Sequence, residues 1–129
     1  MKALDYAAAG DLLDRYAQAW CAFDGDAFVD LYTPDGESID DPFEQPIVGH
    51  NALRANLLAA SEFEDAVEFT FERHWVVAPT ILAAWHASYV HRETRAHVRF
   101  AGFVTFEIAE DGRIRRARFW YNRQESAKE

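Results

Sequence analysis

The sequence predicts an α+β fold in which a cone-shaped, curved antiparallel sheet wraps around N-terminal helices. Apolar residues recur at helical spacing in roughly the first half of the chain, whereas the second half contains long segments of alternating apolar and polar residues. A chain of 129 residues has the length of one domain with a single core. We therefore expect residues 1–129 to form one domain whose sheet, closed by a helix, leaves an interior pocket.

Two helices are expected in the first part of the chain. The apolar stripe of residues 11–23 brings Tyr16 and Trp20 to the same side one turn apart. A phenol and an indole therefore face the core. A short second helix, residues 27–33, carries Tyr32 on its buried face.

The segment that follows, residues 35–41, reads as a short strand that ends before Pro42, since proline cannot donate to a sheet ladder. Side chains alternate between the faces of a strand, and the apolar Ile39 marks the inner face. Asp41 should therefore point inward and Asp40 toward solvent. A desolvated Asp41 would have a raised pKa and would accept protons well near neutral pH. Alternatively, Asp41 is a surface acid that caps the following turn.

A third helix and four long strands account for most of the remaining chain. The helix is expected over residues 50–60 and the strands over residues 67–77, 81–92, 96–108 and 114–122. On the third of these strands Phe100 and Val104 belong to one continuous apolar face that must be core. On the last strand Phe119 and Tyr121 face inward, and Trp120 lies on the opposite face.

Composition and charge exclude several classes of function. A net charge of −9 argues against binding to nucleic acid or to an anionic membrane surface, because both need basic patches. The histidines and the single Cys21 show no metal-ligand spacing, so we expect neither a metal nor another cofactor. With one cysteine, no signal-peptide pattern and no apolar run of membrane length, the chain is expected to be cytoplasmic.

Two stretches carry a family resemblance, namely RYAQAWCAFDGDAFVDLYTPDGESIDDPFEQPIVGH (residues 15–50) and EDGRIRRARFWY (residues 110–121). With the order of elements, they resemble the nuclear transport factor 2-like superfamily, in particular its SnoaL-like and ketosteroid isomerase-like branch. The resemblance covers nearly the whole chain.

The resemblance implies roles for individual residues. In ketosteroid isomerases a tyrosine of the first helix donates a hydrogen bond to the substrate oxygen, and an aspartate before a proline shuttles the proton. Those positions correspond here to Tyr16 and to Asp41, which is followed by Pro42 and Phe43. The position of a second, protonated aspartate corresponds to Val104, which cannot donate a hydrogen bond.

From these features we expect an enzyme of the isomerase, dehydratase or cyclase type. Asp41 would act as general base on a small apolar, aromatic or carbonyl-containing cyclic substrate, with Tyr16 as the hydrogen-bond donor. The residues expected to line the pocket are Trp20, Tyr32, Phe43, Phe100, Val104 and Tyr121. The alternative is a non-catalytic member that binds an apolar ligand or only mediates association.

Two further expectations concern the sheet. Some superfamily members use strand histidines as acid and base, which makes His86 a second catalytic candidate. Both faces of its strand are apolar, however, and an outer-face or dimer-seam histidine is the other interpretation. Because Trp120 and Phe103 would be costly to leave as an exposed patch, we expect a homodimer through the convex face, with Arg116 and Arg118 near the seam.

Overall fold

The computed structural model describes residues 3–127, which form three helices and six strands packed around one core. The helices are α1 (Tyr6–Ala22), α2 (Gly25–Asp30) and α3 (His50–Ala60). The strands are β1 (Tyr32–Ile39), β2 (Ile47–Val48), β3 (Glu64–Val77), β4 (Thr80–His91), β5 (His97–Ile108) and β6 (Ile114–Ser126). None of the helices in this part of the chain is both long and apolar enough to cross a membrane.

Helix α1 begins five residues before the predicted start. Asp5 caps it, because its side chain accepts a hydrogen bond from the backbone N–H of Ala8 at 2.8 Å. Asp11 lies inside the helix and forms an i,i+4 ion pair with Arg15 at 3.0 Å. The helix ends at Phe23, whose left-handed φ of 51° closes the last turn.

The sheet is curved but not closed, with the strand order β2-β1-β6-β5-β4-β3. The pairs from β3 to β6 are antiparallel, as predicted, but β1 runs parallel to β6. Tyr32 belongs to β1 and not to α2, which differs from the prediction. The backbone N–H of Ile114 donates to the carbonyl of Leu31 at 2.7 Å, and this contact draws the chain into the sheet directly after α2.

The inner faces of β5 and β6 form much of the core. Val104, Phe106 and Ala117 are fully buried, and Phe119 is nearly so. The prediction of the inward face of these strands is therefore confirmed. Beside them, Gly102 allows an unusually close approach of β6, since a Cβ there would lie 1.9 Å from the carbonyl oxygen of Trp120.

The outer, convex face of the sheet carries aromatic side chains that remain partly exposed. Trp120 is 38% exposed and Trp75 is 40% exposed. The Arg118 guanidinium lies over the Trp120 ring at 5.3 Å. Arg116 lies near two acids of its own chain, Glu37 and Glu107.

Candidate functional site

The open end of the cone contains a cavity of about 180 Å³. Its wall is formed by the second half of α1, the end of β1, the beginning of β3, the end of β4 and the facing parts of β5 and β6. The residues that line it are Tyr16, Trp20, Asp40, Glu64, Val67, Phe69, Trp85, Ala87, Ser88, Tyr89, Phe100, Phe119 and Tyr121. The wall is thus aromatic apart from two carboxyl groups and a few small or aliphatic side chains.

Asp40 is one of those two carboxyl groups. It follows β1 directly, and its Oδ1 accepts a hydrogen bond from Ser38 Oγ at 2.5 Å. Its Oδ2 accepts one from Asn56 Nδ2, on α3, at 3.2 Å. Burial raises the pKa of Asp40, and the two hydrogen bonds oppose that rise because they stabilise the ionised form. The result is an oriented carboxyl group that can hold or release a proton inside a mainly aromatic cavity.

The structure places Asp41, the predicted base, outside this cavity. Its Oδ1 accepts the backbone N–H of Phe43 at 2.9 Å, so the carboxylate serves the turn that follows the strand. Phe43 itself is 98% exposed and does not line the cavity. The turn-capping alternative therefore describes Asp41 correctly, and the inward acid differs from the predicted one by a single residue.

The register of β1 explains this difference. Ser38 pairs with Ala117, and Ile39 pairs with Arg118 on the parallel neighbour β6. Since paired residues of neighbouring strands point to the same face, Ser38 shares the inner face with the buried Ala117. Ile39 is consequently turned outward beside Arg118. Alternation then carries Asp40, two residues beyond Ser38, toward the interior.

The other predicted pocket residues divide into two groups. Tyr16, Trp20, Phe100 and Tyr121 line the cavity as expected. Tyr32 and Val104 do not, because both are completely buried in the core behind it.

His86 lies on the outer face of β4 and does not reach the cavity. Its side chain is half exposed, and its Nε2 is 3.8 Å from Oε1 of Glu72 on the neighbouring strand. The structure thus agrees with the outer-face interpretation of this histidine and does not bring it together with Asp40.

Tyr16 forms the inner wall of the cavity. Its ring lies against Phe28 and Phe106, with ring centroids 5.3 Å apart in both pairs. Burial raises the pKa of Tyr16 well above its usual value, and the neighbouring Tyr32 and Asp40 add to the rise. Tyr16 is therefore a neutral phenol that can donate its proton in a hydrogen bond. The Tyr32 hydroxyl, behind it, is buried close to the hydroxyl groups of Tyr16 and Ser38 but makes no well-formed hydrogen bond to either.

Glu64 and Trp85 line the cavity although the sequence did not single them out. Glu64 precedes the predicted start of its strand by three residues, and burial raises its pKa from 4.5 to about 7. Trp85 lies on the strand whose two faces look alike in sequence. Its indole N–H is buried and has no hydrogen-bond partner. The pairing with β5 orients Trp85. It lies opposite Gly102, which shares the inner face of β5 with Phe100 and Val104, so Trp85 also points inward.

No metal centre is indicated in the described residues. Among residues 3–127 no group of three or more His, Cys, Asp or Glu side chains is arranged to hold a metal ion. The described residues that line the cavity also include no Lys, Arg or His. The chemistry available at this site is therefore that of carboxyl groups, phenols and aromatic faces.

Comparison with protein families gives a match over most of the chain. The sequence profile of the SnoaL-like domain family matches residues 13–117, which is most of the chain. No protein with a curated description matches the sequence significantly.

Solved structures with the same fold are numerous, and three illustrate their range. A hypothetical protein with a ketosteroid isomerase-like fold from Catenulispora acidiphila, in complex with trimethylamine, has a TM-score of 0.78 at 12% identity, covering 87% of this chain and 85% of that one. The epoxide hydrolase/cyclase-like enzyme SalBIII, which acts in pyran ring formation in the polyether salinomycin, has a TM-score of 0.80 at 16% identity over 92% and 93%. An LEH-like epoxide hydrolase from M. tuberculosis has a TM-score of 0.75 at 16% identity over 90% and 84%. At these identities the likenesses establish the fold.

Proposed function

Because the chain belongs to the family of SnoaL-like domains, we propose that it is a small-molecule enzyme of the isomerase or cyclase type in which Asp40 is the general base. The observation that carries this proposal is the placement of Asp40: a hydrogen-bonded carboxyl group on the wall of a mainly aromatic cavity. A raised pKa brings such a group closer to neutral pH, where it transfers protons most effectively.

The same cavity supplies a partner for the base. When Asp40 removes a proton next to a carbonyl group, negative charge develops on the carbonyl oxygen. Tyr16 can stabilise that charge with a hydrogen bond, because its pKa keeps it protonated. Return of the proton from Asp40 to a different carbon completes an isomerisation. Removal of a hydroxyl proton by Asp40 instead lets that oxygen attack a carbonyl carbon of the same molecule. The new C–O bond closes the ring as the π bond of the carbonyl breaks, and the proton on Asp40 passes to the former carbonyl oxygen, which completes a cyclisation.

The size of the cavity limits the substrate. A protein cavity of about 150 Å³ holds a molecule of benzene, and the cavity described here has about 180 Å³. The part of the substrate that enters it is therefore about as large as one six-membered ring. Small cyclic ketones are suitable first substrates, since removal of their α-proton can be followed without knowing the natural reaction.

Deuterium exchange into cyclohexanone tests the role of Asp40 directly. In D₂O the wild type should accelerate exchange of the α-protons, measured by proton NMR. Asp40→Asn should lose about a hundredfold or more of that acceleration, because a positioned general base contributes this much to rate. Asp41→Asn is the matched control, since it removes the adjacent carboxylate outside the cavity, and it should retain the wild-type rate. Equal exchange rates for wild type and Asp40→Asn would contradict the proposal.

A second candidate function is binding of an apolar ligand without turnover. It is favoured by Val104, which is completely buried and provides no second donor for a developing oxyanion. The two functions differ in one measurement. A protein that only binds would be stabilised by cyclohexanone in a thermal shift assay but would not accelerate its exchange.

A further inference from the structure

The two carboxyl groups of the cavity come from strands that lie far apart in the sheet. Asp40 follows β1, and Glu64 begins β3, while β6, β5 and β4 lie between these strands in the sheet order. Curvature of the sheet therefore brings two acidic side chains into one small cavity. Both carboxyl groups are desolvated by burial there, and none of the described lining residues is basic. The cavity lacks a positive charge to balance them when they ionise.

Aromatic rings enclose the space between these acids. Eight of the lining residues are Phe, Tyr or Trp. Trp85 is the centre of this group, with its ring centroid 5.3 Å from that of Phe69, 5.6 Å from that of Phe119 and 6.1 Å from that of Tyr121. Aromatic faces carry partial negative charge and attract cations, most strongly where water is excluded. The aromatic rings and the carboxylates therefore both favour a cationic ligand.

The cations near the cavity are already engaged. Arg123, close to Tyr121, pairs with Glu125 at 2.9 Å. Arg92 and Arg95 both pair with Asp65, at 3.0 Å and 2.9 Å. These guanidinium groups pair with exposed acids next to the cavity. Arg123 also contacts Tyr89 at the rim, but no described residue of the wall itself is basic.

We propose that the cavity binds compounds with a positively charged nitrogen, a small ammonium group held between the aromatic faces and the carboxylates of Asp40 and Glu64. The proposal concerns the ligand of the cavity in which the proposed function operates, and it rests on that function.

Such binding should depend on pH. A bound cation favours ionised carboxylates, so binding releases protons, and affinity should rise as the pH increases through about 7, the pKa of Glu64. The other titratable side chains that line the cavity with Glu64 are Asp40, Tyr16, Tyr89 and Tyr121, and Arg123 lies at the rim beside Tyr89. His91 is the cross-strand neighbour of Glu64, and its Nδ1 already accepts the backbone N–H groups of Glu93 and Thr94.

A pair of ligands with the same shape and different charge tests this proposal. Choline carries a quaternary nitrogen, and 3,3-dimethylbutan-1-ol replaces that nitrogen by carbon. Calorimetric titration at pH 8 should show choline binding about tenfold or more tightly than the alcohol. Choline affinity should fall between pH 8 and pH 6, whereas that of the alcohol should stay constant.

Two variants test whether Glu64 causes the tighter binding of choline and its pH dependence. Glu64→Gln should weaken choline binding about tenfold and remove most of its pH dependence, while binding of the neutral alcohol is unchanged. Glu68→Gln, on the exposed face of the same strand, is the matched control and should behave as the wild type. A pH dependence that persists in Glu64→Gln would overturn the role of Glu64.

The outcome separates this inference from the proposed function. Equal or tighter binding of the neutral alcohol would overturn the preference for cations, and exchange of cyclohexanone that depends on Asp40 would still support the enzyme. If neither compound binds and Asp40→Asn leaves exchange unchanged, both proposals are wrong. If neither binds but exchange depends on Asp40, only the ligand class is wrong.

Discussion

Replacing Glu64 by glutamine should stabilise the protein in a way that depends on pH. Burial raises the pKa of Glu64 from 4.5 to about 7, so the folded state binds this proton more tightly than the unfolded chain does. The stabilising effect of the proton is fully present below pH 4.5 and is lost as the pH rises through 7. Above that range the wild type buries a charge, which Glu64→Gln does not.

The magnitude follows from the difference between the two pKa values. At 1.36 kcal/mol per pH unit, the difference between 4.5 and about 7 corresponds to about 3.4 kcal/mol. Glu64 is only partly buried, and screening by solvent reduces this to about 2 kcal/mol. We expect Glu64→Gln to exceed the wild type by that amount at pH 8 and by less than about 0.5 kcal/mol at pH 4.5.

Urea unfolding at a series of pH values measures this difference directly, with both proteins at the same concentration. The gap in the free energy of unfolding should open between pH 4.5 and pH 7.5 and then remain constant. Glu68→Gln, which changes an exposed glutamate of the same strand, should follow the wild type throughout. Parallel curves for Glu64→Gln and the wild type would refute the assignment of a buried, uncompensated carboxylate to this position.

Three further predictions concern the rest of the fold. Light scattering at micromolar concentration should show a homodimer that Trp120→Glu converts to a monomer, because this partly exposed tryptophan lies on the convex face; a monomeric wild type would contradict it. Tyr32→Phe removes a buried hydroxyl that makes no well-formed hydrogen bond to the nearby Tyr16 and Ser38, and it should leave the free energy of unfolding unchanged or raise it by about 1 kcal/mol; a clear loss of stability in urea would show that the hydroxyl is bonded. Gly102→Ala should lower that free energy by at least about 2 kcal/mol, since its methyl group would collide with the backbone of β6, and an unchanged melting temperature would disprove this clash.

The inner face of a strand could be predicted from the sequence where that face is apolar. Val104 and Phe119 lie on uninterrupted apolar faces, and the structure buries both as predicted. At β1 the predicted inward acid was wrong by one residue, because Ser38 and Asp40 lie on the inner face and Ile39 lies on the outer face. Alternation identifies the inner face only if that face is apolar. Where a site places polar side chains on the inner face, alternation assigns the two faces the wrong way round. The pairing of β1 with its neighbouring strand is then needed to orient Asp40.

Other features could not be predicted because their signal lies far away in the sequence. Tyr32 continues the helical pattern of Phe28, but its backbone is taken into the sheet by a contact between Leu31 and Ile114. Glu64 belongs to no local motif, and only the curvature of the sheet brings it to the cavity that contains Asp40. Contacts over such distances depend on the whole topology.

The polar inner face of β1 has a consequence for the evolution of this chain. Ser38, Asp40 and Asn56 occupy a place where apolar side chains of similar volume would pack without desolvating a carboxyl group. A chain selected only for resistance to unfolding would exchange all three for apolar residues. The hydrogen-bonded trio therefore lowers the stability of the fold at the proposed catalytic site. Replacing all three together with apolar residues would give a more stable scaffold, on which a new active site could be built at the same open end of the cone.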